Sequence, residues 1–267
     1  MRIRILGCGG AAGVPAIAAG WGACDPGEPR NRRLRPSILI EEDGEGGAPP
    51  HRLLVDASPD LRQQLLGAGV RALDGVVITH AHADHTHGID DLREINRAMG
   101  RSLDLWATAE VLGDLCQRFD YCFTALAAEA TSIYKPMIVP REITTPSFTV
   151  GAFPLRTFPQ SHGWGETLGL RIGAFAYSTD VVALDEAAFA ALAGIDTWIV
   201  DCFALQPHPT HAHLDKTLAW IERLKPRQAI LTHMGPGLDY RATLDRLPPG
   251  VVPAHDGMVI EVGEPSV

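Results

Sequence analysis

Thr79-His80-Ala81-His82-Ala83-Asp84-His85 puts four side chains of metal-ligand type into six consecutive positions. The apolar run before it, Gly75-Val76-Val77-Ile78, reads as a short buried strand. The segment after it, Gly88-Ile89-Asp90-Asp91-Leu92-Arg93-Glu94-Ile95, has the caps and periodicity of a helix start. The four side chains therefore occupy a strand-to-helix loop, where they can fan out around one point. Two imidazoles at i and i+2 suit one divalent ion, and the adjacent carboxylate and imidazole suit a second. Imidazole and carboxylate fit zinc, manganese or iron, and the lack of thiolates argues against a purely structural zinc site.

A solvent-exposed, histidine-rich loop would explain this run alone, as it explains His51, His87 or His208 taken singly. It does not explain the rest of the chain. His162 follows the strand-like segment from Phe153 to Ser161, Asp180 follows Phe175-Ala176-Tyr177-Ser178-Thr179, and His233 follows Gln228-Ala229-Ile230-Leu231-Thr232. Each is a lone ligand-type residue at the end of a strand, which is where α/β sheets build their sites.

With these residues in hand the chain resembles the dinuclear metallo-β-lactamase-fold hydrolases. The resemblance rests on His80-x-His82-x-Asp84-His85 with His162, Asp180 and His233 downstream, and it spans nearly the whole sequence. The opening strand and glycine loop from Met1 to Pro15, the segment Asn31 to Ser37, and Leu231-Thr232-His233-Met234 are similar to one branch. That branch contains the phosphodiesterase of the phosphonate-degrading carbon–phosphorus lyase pathway. The resemblance implies an α/β fold, a four-layer αββα metallo-β-lactamase sandwich, as one domain over residues 1–267.

It also implies a ligand set of two divalent ions per chain, zinc, manganese or iron. His80, His82 and His162 would hold one, Asp84, His85 and His233 the other, and Asp180 would bridge them. Two cations sharing a water lower its pKa towards neutrality and clamp the oxygens of a phosphate that the resulting hydroxide attacks. Asp84 and His211 are the implied catalytic residues. His211 matches a family histidine near the leaving group, where a neutral-range imidazole can donate a proton. His213 is its rival, and a surface histidine at a helix start is the plain alternative. Asp56 matches a carboxylate beside the metals and reads as the partner that orients a ligand histidine. Asp201 is read the same way, with an ordinary strand-end aspartate the alternative for both.

One departure from the branch stands out. Related phosphodiesterases carry a cysteine cluster after the glycine loop, and a histidine after the last metal ligand, that together hold a separate structural zinc. Here the loop keeps Cys24, and the second position is Pro236. The expectation is no structural zinc, with the loop packing through Trp21 instead.

Composition sets the outer bounds. The chain has 267 residues, is 46% hydrophobic, and lacks a compositional break that would mark a linker, so a single domain is expected. A net charge of −9 disfavours binding to nucleic acid polymers or anionic membranes. Arg30, Arg32, Arg33 and Arg35 form a local basic patch against that trend. Arg32 and Arg33 are candidates to reach a substrate phosphate through the guanidinium fork, the alternative being a solvated loop. Trp164, two residues after His162, is a candidate pocket wall. Five cysteines without metal-ligand spacing read as free thiols in a reducing compartment. With neither a leader nor a bilayer-length apolar run, a cytoplasmic protein is expected. A homodimer is the base-rate expectation.

Other segments carry local expectations. Glu42 to Pro50 reads as an acidic, glycine-rich hairpin turn. Arg52-Leu53-Leu54-Val55 reads as a strand followed by a helix that Ser58 caps and Pro59 starts. Leu214 to Lys225 reads as an amphipathic helix whose stripe of Leu214, Leu218, Ile221 and Leu224 packs on the core. Residues 121–146, broken by Pro136, Pro140 and Pro146, read as an irregular lid or binding loop. There Tyr121, Phe123 and Tyr134 either stack on a base or sugar or form a satellite cluster. The leading functional reading is a metal-dependent phosphodiesterase for a small cyclic or nucleotide-like diester. The alternatives are a hydrolase for a thioester, lactone or lactam, or a cofactor-biosynthesis protein like the one of the pyrroloquinoline-quinone pathway.

Overall fold

Alternation of period two divides the core. Ile38, Ile40, Leu53 and Val55 turn to one face of a sheet while Leu39 and Leu54 turn to the other, and all six are buried. The structure is a computed structural model and describes residues 1–263. In chain order its strands are β1 (Arg2–Gly7), β2 (Ser37–Glu42), β3 (His51–Val55), β4 (Gly75–Val77), β5 (Leu103–Ala107), β6 (Ile138–Glu142) and β7 (Ser147–Val150). They continue as β8 (Phe153–Ser161), β9 (Glu166–Ile172), β10 (Phe175–Ser178), β11 (Thr197–Asp201), β12 (Gln228–Thr232), β13 (Val251–Pro253) and β14 (Val259–Glu261). The helices are α1 (Leu61–Ala68), α2 (Ala83–Thr86), α3 (Leu92–Met99), α4 (Ala109–Arg118), α5 (Asp120–Phe123), α6 (Glu186–Leu192), α7 (Leu214–Leu224) and α8 (Tyr240–Leu244).

The strands form two sheets, ordered β14-β1-β2-β3-β4-β5-β6 and β13-β12-β11-β10-β9-β8-β7. Ile3, Ile5, Ile38, Ile40 and Val77 of the first share one apolar cluster with Phe153, Leu155, Phe175, Tyr177 and Ile199 of the second. On the outside of the first sheet Leu39, Leu54, Val76 and Leu105 pack on Leu61, Leu65, Leu92, Ile95 and Leu115 from α1, α3 and α4. Ala188, Leu192, Leu214 and Ile221 of α6 and α7 join the cluster of the second sheet. The layers are those of the αββα metallo-β-lactamase sandwich. Full burial of each large aliphatic side chain contributes about 1.5–3 kcal/mol, so the alternation fixes strand register strongly.

Strands β3 to β6 run parallel, as do β10 to β13. Parallel strands are covered on both faces, which is why Gly75-Val76-Val77-Ile78 and Ala229-Ile230-Leu231 are continuously apolar. Their carboxyl ends deliver Asp56, His80, Asp180, Asp201 and His233.

Several local expectations need correction. Helix α1 begins at Leu61, not at Pro59. The Ser58 hydroxyl accepts from the Asp60 amide (3.1 Å) and bonds Gln64 (2.9 Å), so Ser58 closes a turn before the helix. Gly88 lies against it, and a Cβ there would sit 1.9 Å from the Ser58 carbonyl oxygen. Within residues 121–146, β6 forms at the end of the first sheet, where Pro140 is tolerated because an edge strand has no outer ladder to supply. The Tyr121 hydroxyl bonds Asp90 (3.1 Å) and Phe123 packs on the outer apolar layer, as a satellite cluster would. In the loop after the glycine segment the buried anchor is Cys24, 4% exposed, whereas Trp21 is half-buried beneath Arg32. Helix α7 ends one residue earlier than expected because Lys225 turns left-handed (φ 50°). Among the described residues no helix is long and apolar enough to cross a membrane.

Candidate metal centre

The strand ends converge on two clusters. Ligand atoms of His80, His82, His162 and Asp180 lie within 4.8 Å of one another, and so do those of Asp84, His85, Asp180 and His233. Asp180 belongs to both. The loop after β4 supplies His80 and His82, and α2 carries Asp84 and His85 one turn further on. Residues from β8, β10 and β12 close the far side. All seven residues named from the sequence are therefore brought together, six of them buried and His82 exposed.

Backbone conformation marks the same place. Asp56 (φ 64°), Asp180 (φ 52°) and His233 (φ 57°) are left-handed although none is glycine. Each such residue costs about 1–3 kcal/mol, so three at one site show that surrounding contacts overdetermine its geometry.

Hydrogen bonding fixes the imidazole protons. The Asp56 carboxylate accepts from the Thr79 amide (2.8 Å) and the Thr79 hydroxyl (3.0 Å), and lies 2.7 Å from His85 Nδ1. An anionic carboxylate only accepts, so His85 Nδ1 carries a proton. The Thr79 hydroxyl donates to Asp56, so the His80 Nδ1–H at 3.0 Å donates to Thr79. His162 Nδ1–H donates to the Thr210 carbonyl (2.8 Å). With Nδ1 so engaged, the Nε2 atoms of His80, His85 and His162 face Asp180 oxygens at 3.8, 3.0 and 3.9 Å. The Nε2 atoms of His80 and His85 are buried without a hydrogen-bond partner. Ring nitrogens and carboxylates converging in a buried place need positive charge between them, and divalent cations fit this donor set.

The electrostatics say the same. Burial opposes ionisation of Asp84 and Asp180, yet the neighbouring imidazoles hold both carboxyl groups well below the usual range. Burial likewise opposes charge on His85 and His233. Asp180, Asp84 and Asp56 push the first well up, and Asp180, with the Asp84 hydrogen bond, pushes the second up to about 9. Burial and His85 hold His80 well below its usual value. Protons on His85 and His233 thus stand where a metal would place its charge, and binding would displace them.

A third group sits beside the clusters. His211 Nδ1 is 3.0 Å from the buried Asp201 carboxylate, whose same oxygen accepts from the Val181 amide (2.9 Å). Asp201 therefore orients His211 as Asp56 orients His85. Phe203 stacks on the His211 ring at 4.8 Å. His213 lies at the cap of α7 and does not line the cavity, so the structure brings His211, not its rival, to the centre.

The clusters form the floor of a cavity of about 860 Å³ whose wall includes Trp164, Thr108, Asp114 and Arg118. Trp164 is 87% exposed at its mouth. Arg32 and Arg33 do not line it, which corrects the sequence expectation. Arg32 is exposed with its guanidinium 5.2 Å from the Trp21 ring, and Arg33 is buried, donating to the Leu238 carbonyl (2.7 Å). Among the described residues Arg118 is the only arginine or lysine on the wall. It donates to the Ala81 carbonyl, between two candidate ligands, and to Asp114 (2.9 Å). Sequence reading passed over it because an Asp–Arg pair at i and i+4 is ordinary on a helix surface.

A family model described as the beta-lactamase superfamily domain matches residues 51–234. The chain belongs to this superfamily. It is 31% identical over 236 residues to coenzyme PQQ synthesis protein B of Cupriavidus necator, covering 74% of this chain and 72% of that protein. It is 29% identical over 269 residues to an octanoyltransferase of Porphyromonas gingivalis, covering 100% of this chain but spanning only 53% of that relative. The crystal structure of a diphosphatase from the PhnP family superimposes with a TM-score of 0.85 at 31% identity, covering 98% of both chains. The superfamily and the ligand clusters together describe a metallo-β-lactamase fold with a candidate site for divalent metal.

Proposed function

We propose that the chain is a phosphodiesterase for a small cyclic or nucleotide-like diester, working with two divalent ions, zinc or manganese. The observation that carries this reading is the pair of clusters sharing Asp180 on the floor of one cavity, with His211 held beside them by Asp201. Two divalent cations there would supply Lewis acidity toward phosphoryl oxygens and lower the pKa of a water. The protein's own residues do the rest. His80, His82 and His162 would hold one ion and Asp84, His85 and His233 the other, with Asp180 common to both clusters. Thr79 and Asp56 keep the His80 and His85 lone pairs turned inward. With Nδ1 committed to Asp201, His211 keeps Nε2 to protonate a departing alkoxide. Arg118 and Trp164 flank the substrate. The likeness to a PhnP-family diphosphatase supports phosphorus chemistry.

The relative in pyrroloquinoline-quinone synthesis favours a second reading, a cofactor-biosynthesis role on the same scaffold. A substrate panel separates them. Metal-reconstituted protein should hydrolyse bis(4-nitrophenyl) phosphate and leave 4-nitrophenyl phosphate and 4-nitrophenyl acetate nearly untouched. Preference for the acetate would point to ester chemistry, and no turnover despite tightly bound ions would favour the second reading.

A further inference from the structure

Arg33 is 2% exposed, and its guanidinium is held by neutral groups. It donates to the carbonyls of Gly235 (3.3 Å) and Leu238 (2.7 Å) and to Asn31 Oδ1 (3.4 Å), and lies 3.9 Å from Cys24 Sγ. A buried cation without a bonded carboxylate is costly to keep, and without it the Gly235 carbonyl would keep only the Leu238 amide (3.2 Å) and the Leu238 carbonyl only the weak Cys24 thiol donor (3.5 Å).

The two carbonyls belong to the turn that leaves His233. That residue is left-handed (φ 57°), a conformation that needs fixing from outside. Met234 N–H is tied to the Cys8 carbonyl (2.8 Å) and Gly235 N–H to the Phe203 carbonyl (3.0 Å). The other contacts come from the segment that carries Arg33. Ala23 N–H donates to the Pro236 carbonyl (2.8 Å), and Asn31 bonds Asp239 (2.6 Å) and the Tyr240 amide (2.7 Å). Arg33 spans the middle of this seam. Its own backbone pairs with Val14 in the glycine loop, so backbone and side chain of this one residue together link three loops around the centre.

We propose that Arg33 is a positioning residue for the metal centre: by holding the Gly235 and Leu238 carbonyls it fixes the backbone that presents His233 to the Asp84/His85/His233 cluster. The proposal rests on the two-ion reading above. Groups that orient a metal ligand typically change affinity roughly 10–100-fold when removed. Arg33→Met should therefore weaken one of two ions at least tenfold and leave the other unchanged.

The test is metal content and competitive chelator titration of stripped protein, with zinc as the probe. Wild type, Arg33→Met, Asp84→Ala and the double variant are compared. If Arg33 acts through that cluster, Asp84→Ala removes the same ion, and adding Arg33→Met to it changes nothing further. Arg33→Ala should regain the lost affinity in millimolar guanidinium and not in ammonium. Unchanged affinities for both ions in Arg33→Met, even with a lowered melting temperature, would overturn the proposal and leave a merely structural arginine. Loss of both ions to the same extent would overturn it as well. Wild type binding fewer than two ions would instead overturn the reading on which it stands.

Discussion

Asp56→Asn replaces a buried acceptor with a group of the same shape and different protons. The carboxylate is fully buried and serves three donors: the Thr79 amide (2.8 Å), the Thr79 hydroxyl (3.0 Å) and His85 Nδ1–H (2.7 Å). Asparagine keeps one oxygen. If that oxygen stays on Thr79, the amide N–H faces His85 Nδ1, which must accept, so the ring proton moves to Nε2. That atom sits 3.0 Å from Asp180, at the position a metal ion would need. If the amide flips, its N–H meets the Thr79 amide donor, and an unsatisfied buried donor costs about 1–3 kcal/mol. Either orientation weakens the Asp84/His85/His233 cluster by roughly 10–100-fold, about 1.4–2.7 kcal/mol. Competitive chelator titration of the stripped variant reads this directly, with circular dichroism showing that it folds. Two wild-type affinities in Asp56→Asn would refute the account of how the imidazoles are oriented.

His211→Ala should lower kcat by about 10²–10⁴ for diesters with alkyl leaving groups and far less for 4-nitrophenol, which needs no proton to depart; equal losses on both would remove His211 as proton donor. Trp164→Ala should raise KM and, because the ring is 87% exposed, shift unfolding free energy by no more than about 0.5 kcal/mol in urea melts. Asp256 is raised by burial from 3.8 to about 6 while accepting from the Cys8 and Leu34 amides. The folded carboxyl therefore keeps its proton to higher pH than the unfolded one. Its contribution is fully present below pH 3.8 and is lost as pH rises through about 6, by up to about 3 kcal/mol. The stability of wild type relative to Asp256→Asn should fall across that window, and a flat difference in urea unfolding would contradict it.

The ligand residues were legible because His80, His162, Asp180 and His233 each follow a strand, and His82, Asp84 and His85 lie in the same short run as the first. Asp56 and Asp201 were legible for the same reason, at the ends of β3 and β11. What the sequence hid depends on depth and distance. Of the arginines between positions 30 and 35, nothing local says that Arg33 turns inward, since its partners Gly235 and Leu238 lie some two hundred residues away. Arg118 reaches the cavity only because α4 packs beside the Ala81 loop. Pro140 argued against a strand, and only the position of β6 at a sheet edge makes it one.

The most direct test of the two-ion phosphodiesterase is turnover of bis(4-nitrophenyl) phosphate by chelator-stripped protein as zinc or manganese is added in measured equivalents. The account predicts that activity is absent without metal, rises until two ions are bound per chain, and is lost in Asp180→Ala. Full activity at one ion, or Asp180→Ala that keeps both metal and turnover, would contradict it.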